Sequence, residues 1–300
     1  MTETRAYAKI NLRHRVFAPE HTGFHSVETL MLRTGLFDSV GLAEAPEGWS
    51  VDLDGEEAAG VPAGDDNLCC RAARLYLDRA FGRTRPGVRI RLTKRIPPGS
   101  GLGGGSADAG AVLRLLARRW PRLDERELVQ LAGEIGSDVP FALIDVPMAL
   151  GWEHGRRLLP LRPPHPRPAL LARPPFSIDT GEAYAGLAAS RLASDGGSAD
   201  PGGAAILPGP DRLAEWDSLA RLARNDLEPP ALASHPDLAE CLAMLRAEAA
   251  VAGMTGSGST LFGIFASAQG RAACRGRCEE AGFDPDRRWR WIETTIPHIA

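Results

Sequence analysis

The chain has 300 residues, 44% of them hydrophobic and 24% charged, and a formal net charge of −3 at pH 7. That composition fits a globular protein of one large or two ordinary domains, without the basic footprint of a nucleic-acid binder. No apolar run approaches the ~18 residues that span a membrane. The segment Met1–Arg5 carries no apolar leader, so a cytoplasmic protein with no membrane or nucleic-acid partner is expected. The five cysteines offer no spacing for a zinc site beyond the lone pair Cys274 and Cys278, and reduced, mostly buried thiols are the better reading.

From Arg5 to Phe17 the residues alternate. Ala6, Ala8, Ile10, Leu12 and Val16 fall on one face, and Tyr7, Lys9, Asn11, Arg13 and Arg15 on the other, which predicts a half-buried strand. A turn at His21-Thr22-Gly23 returns the chain into a second strand over about Phe24–Leu32. Helical spacing runs from Asn67 to Phe81. Val88, Ile90 and Leu92 mark a strand that leads into Lys94-Arg95-Ile96-Pro97. A glycine-rich stretch then opens a helix with Ala109, Val112, Leu113, Leu116 and Trp120 on one side, stopped by Pro121. A further helix over about Glu125–Ile135 closes at Gly136-Ser137-Asp138.

Prolines cluster between Pro160 and Pro175, which marks a crossover between expected domains 1–160 and 161–300. The stretch Ala188–Pro210 is rich in Ala, Gly, Ser, Asp and Pro and reads as a flexible surface insertion. Helical pattern resumes over Leu213–Leu222 and Asp237–Ala249. A second glycine-rich turn, Thr255–Ser259, precedes a strand over Thr260–Phe265. Strands and helices mix without regular alternation, so the expected class is α+β in two domains.

Six glycines lie between Gly99 and Gly110 at the mouth of an amphipathic helix. Phosphate oxygens are held best by several backbone N–H groups, and glycine lets the backbone approach them. The helix that follows aims its unpaired N–H groups and positive dipole end at the same anion. A Walker loop is excluded, because no Gly-Lys-Ser/Thr closes the motif. A dinucleotide fingerprint fits Gly99-x-Gly101-x-x-Gly104 formally, with Asp124 downstream. Asp124, however, follows a helix and a proline, whereas a ribose-binding acid ends a strand. Neither an H-R-D loop nor a D-F-G is present, which argues against a protein kinase. A ligand-free turn leaves so many glycines without a use.

The segment Ile96-Pro97-x-Gly99-x-Gly101-Leu102-Gly103-Gly104-Gly105-Ser106-Ala107 resembles the phosphate loop of the galactokinase, homoserine, mevalonate and phosphomevalonate kinase superfamily. Its Gly-Gly-Gly-Ser form is similar to the branch that acts on a cytidylylated methylerythritol. Six further blocks follow the order of that branch: Ala8-Lys9-Ile10-Asn11-Leu12, Gly23-Phe24-His25, Asp66-Asn67-Leu68, Gly136-Ser137-Asp138-Val139-Pro140, Asn225-Asp226-Leu227-Glu228 and Met254-Thr255-Gly256-Ser257-Gly258.

The resemblance implies a two-domain α+β kinase that uses ATP and Mg²⁺ on a small cytidylyl sugar alcohol. Pro97, Pro98, Gly99, Ser100, Gly101, Leu102, Gly103, Gly104, Gly105, Ser106 and Ala107 would bind ATP. Asp138 becomes the general base for the attacking hydroxyl, although from the residues alone it is as well explained as a helix cap. Lys9, by itself an ordinary solvated lysine, would place positive charge beside that carboxylate and the phosphoryl group.

Asn11, Phe24, His25, Lys94, Thr180 and Tyr184 are implied substrate contacts, with Phe24 and Tyr184 stacking the base and His25 reading its edge. Ser106 and Asp108, at the helix entrance, would face Mg²⁺ or its waters, with a plain dipole partner an equal reading of Asp108. No metal ligand set and no oligomeric state is assigned.

The sequence departs from the family at Thr22-Gly23 and at Glu153-His154-Gly155-Arg156, which touches the details of substrate contact. Two rivals remain at this point. The first is a sister kinase for another small alcohol, against which His25 and its aromatic neighbours weigh. The second is a nucleotide-binding protein without catalysis, against which Lys9 and Asp138 weigh.

Overall fold

The computed structural model describes residues 2–19, 25–153, 155, 157–193 and 207–298. Strands β1 (Thr2–Pro19) and β2 (His25–Ala45) form a long antiparallel hairpin, paired from Thr2 with Leu42 to Pro19 with His25. The turn expected at His21-Thr22-Gly23 lies outside the described residues. β2 runs well past Leu32, with the polar residues Arg33, Thr34 and Asp38 buried within it. Asp38, for one, accepts hydrogen bonds from Lys94 and from the backbone N–H groups of Arg95 and Ile96.

β1 is not half-buried. Lys9, Asn11, Arg13 and Arg15 are buried along with Ala8 and Ile10, since residues from the second half of the chain cover the polar face: Thr255 meets Asn11 and the Leu222 carbonyl meets Arg13. Between Asn11 and Arg13 the register shifts by one residue. The extra residue in β1 changes the phase of alternation, so His14, and not Arg13, continues the face of Lys9 and Asn11.

β3 (Trp49–Asp54) and β4 (Gly87–Thr93) pair in parallel, and β4 extends the second half of β2. β5 (Met148–Trp152) pairs with the first half of β2 and with β6 (Arg157–Pro160). Helices α1 (Leu68–Phe81), α2 (Gly104–Arg119), α3 (Glu125–Ile135) and α4 (Val139–Ile144) belong to this sheet's layer. α1 starts at Asn67, whose side chain accepts from the Cys69 N–H at 2.8 Å. Tyr76, Leu77, Val112, Leu113 and Leu116 from the helices share one core with Ile10, Leu32, Val40, Ile90 and Leu92 from the sheet. Each such aliphatic burial contributes about 1.5–3 kcal/mol.

The proline-rich stretch after β6 leads to β7 (Arg167–Arg173), a central strand of a second, antiparallel sheet. With β9 (Val251–Met254), β10 (Leu261–Ile264) and β11 (Arg290–Ile296) its order is β11-β7-β10-β9. α8 (Pro236–Glu248) and α9 (Ala268–Glu280) pack against it through Cys241, Leu242, Leu245, Cys274 and Cys278. All five cysteines are free and buried.

α5 (Thr180–Ala193) occupies the start of the stretch read as an insertion, so residues 188–193 are helical; residues 194–206 lie outside the described part. Then come α6 (Trp216–Leu222), β8 (Arg224–Asn225) and α7 (Glu228–Ser234). β8 returns to the first sheet and pairs in parallel with β1, completing the order β3-β4-β2-β1-β8.

Candidate active site

The two glycine-rich turns pack on each other. A Cβ on Gly101 would lie 2.4 Å from the Thr255 carbonyl oxygen, and its φ is +76°, a place for glycine alone. These turns, β1, β2 and the start of α5 enclose a cleft of about 1220 Å³.

On one wall, α2 begins at Gly103 with no side-chain cap. Its first-turn N–H groups therefore keep their hydrogen-bonding capacity for an anion. Gly104, Gly105 and Ser106 line the cleft there, as do Pro97, Pro98, Gly99, Ser100, Gly101 and Gly103. Leu102 and Ala107 turn their side chains into the core. The Ser100 hydroxyl donates to the Pro97 carbonyl at 2.6 Å and so closes the loop on itself.

Beside the helix mouth, Lys9 Nζ lies 2.6 Å from Asn11 Oδ1, 3.0 Å from the Gly101 carbonyl oxygen and 3.3 Å from Asp138 Oδ2. Its three donors thus meet acceptors from three chain segments, and the side chain is 7% exposed. Asp138 stands at the N-cap position of α4 but makes no capping bond. Its carboxylate, 33% exposed, faces Lys9 and the cleft. Asn11 is fixed as well. Its N–H donates to Thr255 Oγ1 at 3.0 Å, and its side-chain amide donates to Thr29 Oγ1 at 2.8 Å.

At the far end of the β1–β2 hairpin, the His25 and Tyr184 rings lie 5.4 Å apart at 42°. His25 Nδ1 is 2.8 Å from the Phe17 carbonyl oxygen. Nδ1 therefore carries the proton in that bond, which leaves Nε2 as an acceptor. Burial, with Asp138 adding to it, raises the Tyr184 phenol above its ordinary range. Thr180, exposed at the start of α5, has its hydroxyl 3.2 Å from that of Ser257. Phe24, His154 and Arg156 lie outside the described residues.

Two expected contacts need correction. Lys94 is not a substrate-side cation. It is 2% exposed, and its Nζ is held between Asp38 and, at 2.7 Å, Asp108. Asp108 thus faces this buried lysine, away from the cleft and any metal in it. Burial pushes its carboxyl up, Lys94 opposes this, and Asp38 adds to it. The clamp ties the first turns of α2 to the backbone that leads into the phosphate loop. Asp124, the one acid that fitted a dinucleotide fingerprint, forms a capping box with Glu127 at the start of α3.

Several site residues have no role assigned by the sequence reading, although Asn225, Asp226 and Thr255 fall in blocks that carry the resemblance. Thr29 and Thr255 position Asn11. Asn225 donates to the carbonyls of Met254 and Gly256, both at 2.8 Å, and holds the second glycine turn. The Asp226 carboxylate accepts from the Val16 N–H at 3.0 Å. His14 lines the cleft between its two ends. Burial, then Lys9, push its imidazole down to about 4, against Asp138 and Asp226. A hydrogen-bond pattern between distant segments leaves no local signal, and His14 is hidden by the change of phase in β1.

The sequence profile of the GHMP kinases N terminal domain matches residues 67–150, and that of the GHMP kinases C terminal domain matches residues 212–282. Both halves of a kinase of that class are therefore present. The chain is 37% identical to the 4-diphosphocytidyl-2-C-methyl-D-erythritol kinase of Cereibacter sphaeroides, over 96% of this chain and 97% of that one. A crystal structure of 4-(cytidine 5'-diphospho)-2C-methyl-D-erythritol kinase superposes with a TM-score of 0.75 at 33% identity, covering 98% of this chain and 99% of the other. Homoserine kinase from Cytophaga hutchinsonii shares the fold at 17% identity, with a TM-score of 0.66 and coverage of 98% and 94%. The chain belongs to the GHMP kinases and, within them, to the 4-diphosphocytidyl-2-C-methyl-D-erythritol kinases.

Proposed function

We propose that the protein transfers the γ-phosphoryl group of ATP to the 2-hydroxyl of 4-diphosphocytidyl-2-C-methyl-D-erythritol, a step of non-mevalonate isoprenoid precursor synthesis. The observation that carries this reading is one cleft with two different ends. An uncapped helix mouth faces the Lys9–Asp138 pair at one end, and the His25 and Tyr184 rings lie at the other.

ATP binds with its phosphates against the N–H groups of residues 103–106. The substrate hydroxyl gives its proton to Asp138 as its oxygen bonds to the γ-phosphorus. The bond from that phosphorus to the β,γ-bridging oxygen breaks, and ADP leaves. Lys9, immobilised by three acceptors, offsets negative charge at the transferring group. Asn11 orients the alcohol.

Among the described residues no cluster of His, Cys, Asp and Glu could hold a metal ion by itself. Mg²⁺ brought on the nucleotide would fit better, with the Ser106 hydroxyl at the helix mouth as its protein neighbour, and would offset negative charge on the phosphates. At the other end Tyr184 stacks the cytosine, with Phe24 the second ring that the family resemblance implies, and His25 Nε2 accepts from its amino group.

The test is ATP consumption by the purified protein with the cytidylyl substrate, methylerythritol phosphate, mevalonate, homoserine and galactose. Turnover confined to the cytidylyl substrate is expected. Equal or greater turnover of another alcohol would give the protein to a sister activity, and none with any alcohol would leave a nucleotide-binding protein.

A further inference from the structure

His14 has no part in the chemistry above, yet it lines the cleft, and its Nδ1 is buried without a hydrogen-bond partner. In the β1–β2 ladder it pairs with Thr29. Lys9, paired with Arg33, lies toward the reacting end, and His25, paired with Pro19, lies toward the base end. It therefore stands between the group that accepts phosphate and the rings that hold the base. Along this ladder the one-residue shift after Asn11 brings the imidazole to the cleft; without it Arg13 would occupy that face.

We infer that His14 is a specificity-determining contact, donating its Nε2–H to an oxygen of the ribosyl-diphosphate linker of the substrate. The argument rests on the substrate reading proposed above and runs from the ring's two nitrogens. A neutral imidazole carries one hydrogen. On Nδ1 it would be a buried donor with no acceptor, a rare and costly arrangement. Nε2 is not among the buried unpartnered atoms, and on a residue that lines the cleft its hydrogen can be accepted by water or a ligand there. The ring is neutral at physiological pH, since burial and Lys9 hold it far below the ordinary imidazole range, against Asp138 and Asp226. A linker that joins base to sugar alcohol presents ribose and phosphate oxygens, which are acceptors for that donor. ATP, bound at the helix mouth, lies at the opposite end from His25 and makes no such contact.

The experiment compares steady-state kinetics of the wild type, His14→Leu and His14→Gln on the cytidylyl substrate. His14→Leu keeps the volume and loses the donor. Its KM for the cytidylyl substrate should rise about ten-fold, the worth of one hydrogen bond, while its KM for ATP stays within about two-fold. Gln, whose amide can donate from a similar reach, should recover most of the loss. A 2′-deoxyribose version of the substrate separates the two sources. If the ribose accepts, the wild type already shows the raised KM and His14→Leu adds nothing; if the phosphates accept, the penalty persists.

An unchanged KM in folded His14→Leu overturns the inference, and so does an equal rise for ATP or a failure of Gln to rescue. Wild-type protein that turns over the cytidylyl substrate while the variants behave alike would sink this contact alone. Wild-type protein inactive on that substrate would sink the substrate reading and the contact with it.

Discussion

The position of Asp138 at the head of α4 invites a capping role, and the geometry gives it another. The carboxylate makes no bond to the helix and lies 3.3 Å from Lys9 Nζ. Asp138→Asn should therefore lower kcat by ~10² to 10⁴ with ATP binding nearly intact, read from kcat and from nucleotide titration. Near wild-type turnover would remove it from the chemistry. From the sequence, this pair was legible only through family resemblance, because Asp and Lys have more frequent uses as caps and solvated charges. Lys94 was misread for a physical reason. Its partner Asp38 lies 56 residues away, on a strand that sequence pattern ends too early. His14 was missed because alternation counted from Lys9 hands its place to Arg13.

The ring of His14 also makes a titration prediction. Its pKa falls from 6.5 to about 4 on folding, so between those values the unfolded chain takes up a proton that the native state refuses. Stability is then full above pH 6.5 and declines as the pH falls toward 4, by at most about 3 kcal/mol, a ceiling because the ring is partly open to the cleft. The charges that face it, Lys9, Asp138 and Asp226, remain in a His14→Leu variant. Urea unfolding at pH 7 and pH 4.5 should show the wild type losing more stability than His14→Leu. Equal losses would contradict a native imidazole held neutral.

Among the elements, α2 shows best how local sequence and site fit together. The glycine run reads at once as a helix mouth for phosphate, and the helix begins there. What the pattern does not tell is that Gly103 also backs onto the reacting pair. A Cβ at this residue would stand 3.0 Å from Lys9 Cε and 3.6 Å from Asp138 Oδ2, and the φ of +71° is itself unfavourable for other residues by about 1–2 kcal/mol.

Gly103→Val should thus weaken ATP binding by more than about ten-fold and lower kcat, at a stability cost of about 1–3 kcal/mol. Unchanged ATP affinity in the folded variant would contradict the phosphate-loop reading. The long, periodic elements α1, α3 and β4 were legible in the sequence. β5, β7 and β9 were not, since short strands buried on both faces show no alternation. The last turns of α5, from Ala188, were masked by an Ala-, Gly- and Ser-rich composition that suggested an irregular loop.

At the scale of the whole molecule, the second half of the chain is a wall of the site and not a neighbour to it. Thr255 Oγ1 accepts from the Asn11 N–H at 3.0 Å and lies 3.3 Å from both Asn11 Oδ1 and the Gly101 carbonyl. Thr255→Val keeps the shape and removes these bonds, leaving a buried N–H unpaired. A stability loss of about 1–3 kcal/mol and a weaker thermal shift on adding ATP are expected; an unaltered ATP-induced shift would mean that the turn does not order the loop. This interlocking has a consequence in time. A ribosome delivers Lys9 first, Gly101 is 92 residues behind it, and Thr255 is a further 154 residues on. Until that threonine emerges, the charge-handling centre lacks its last wall. The growing polypeptide thus holds an incomplete phosphate cradle until then, and the grip on phosphate waits for the second glycine turn.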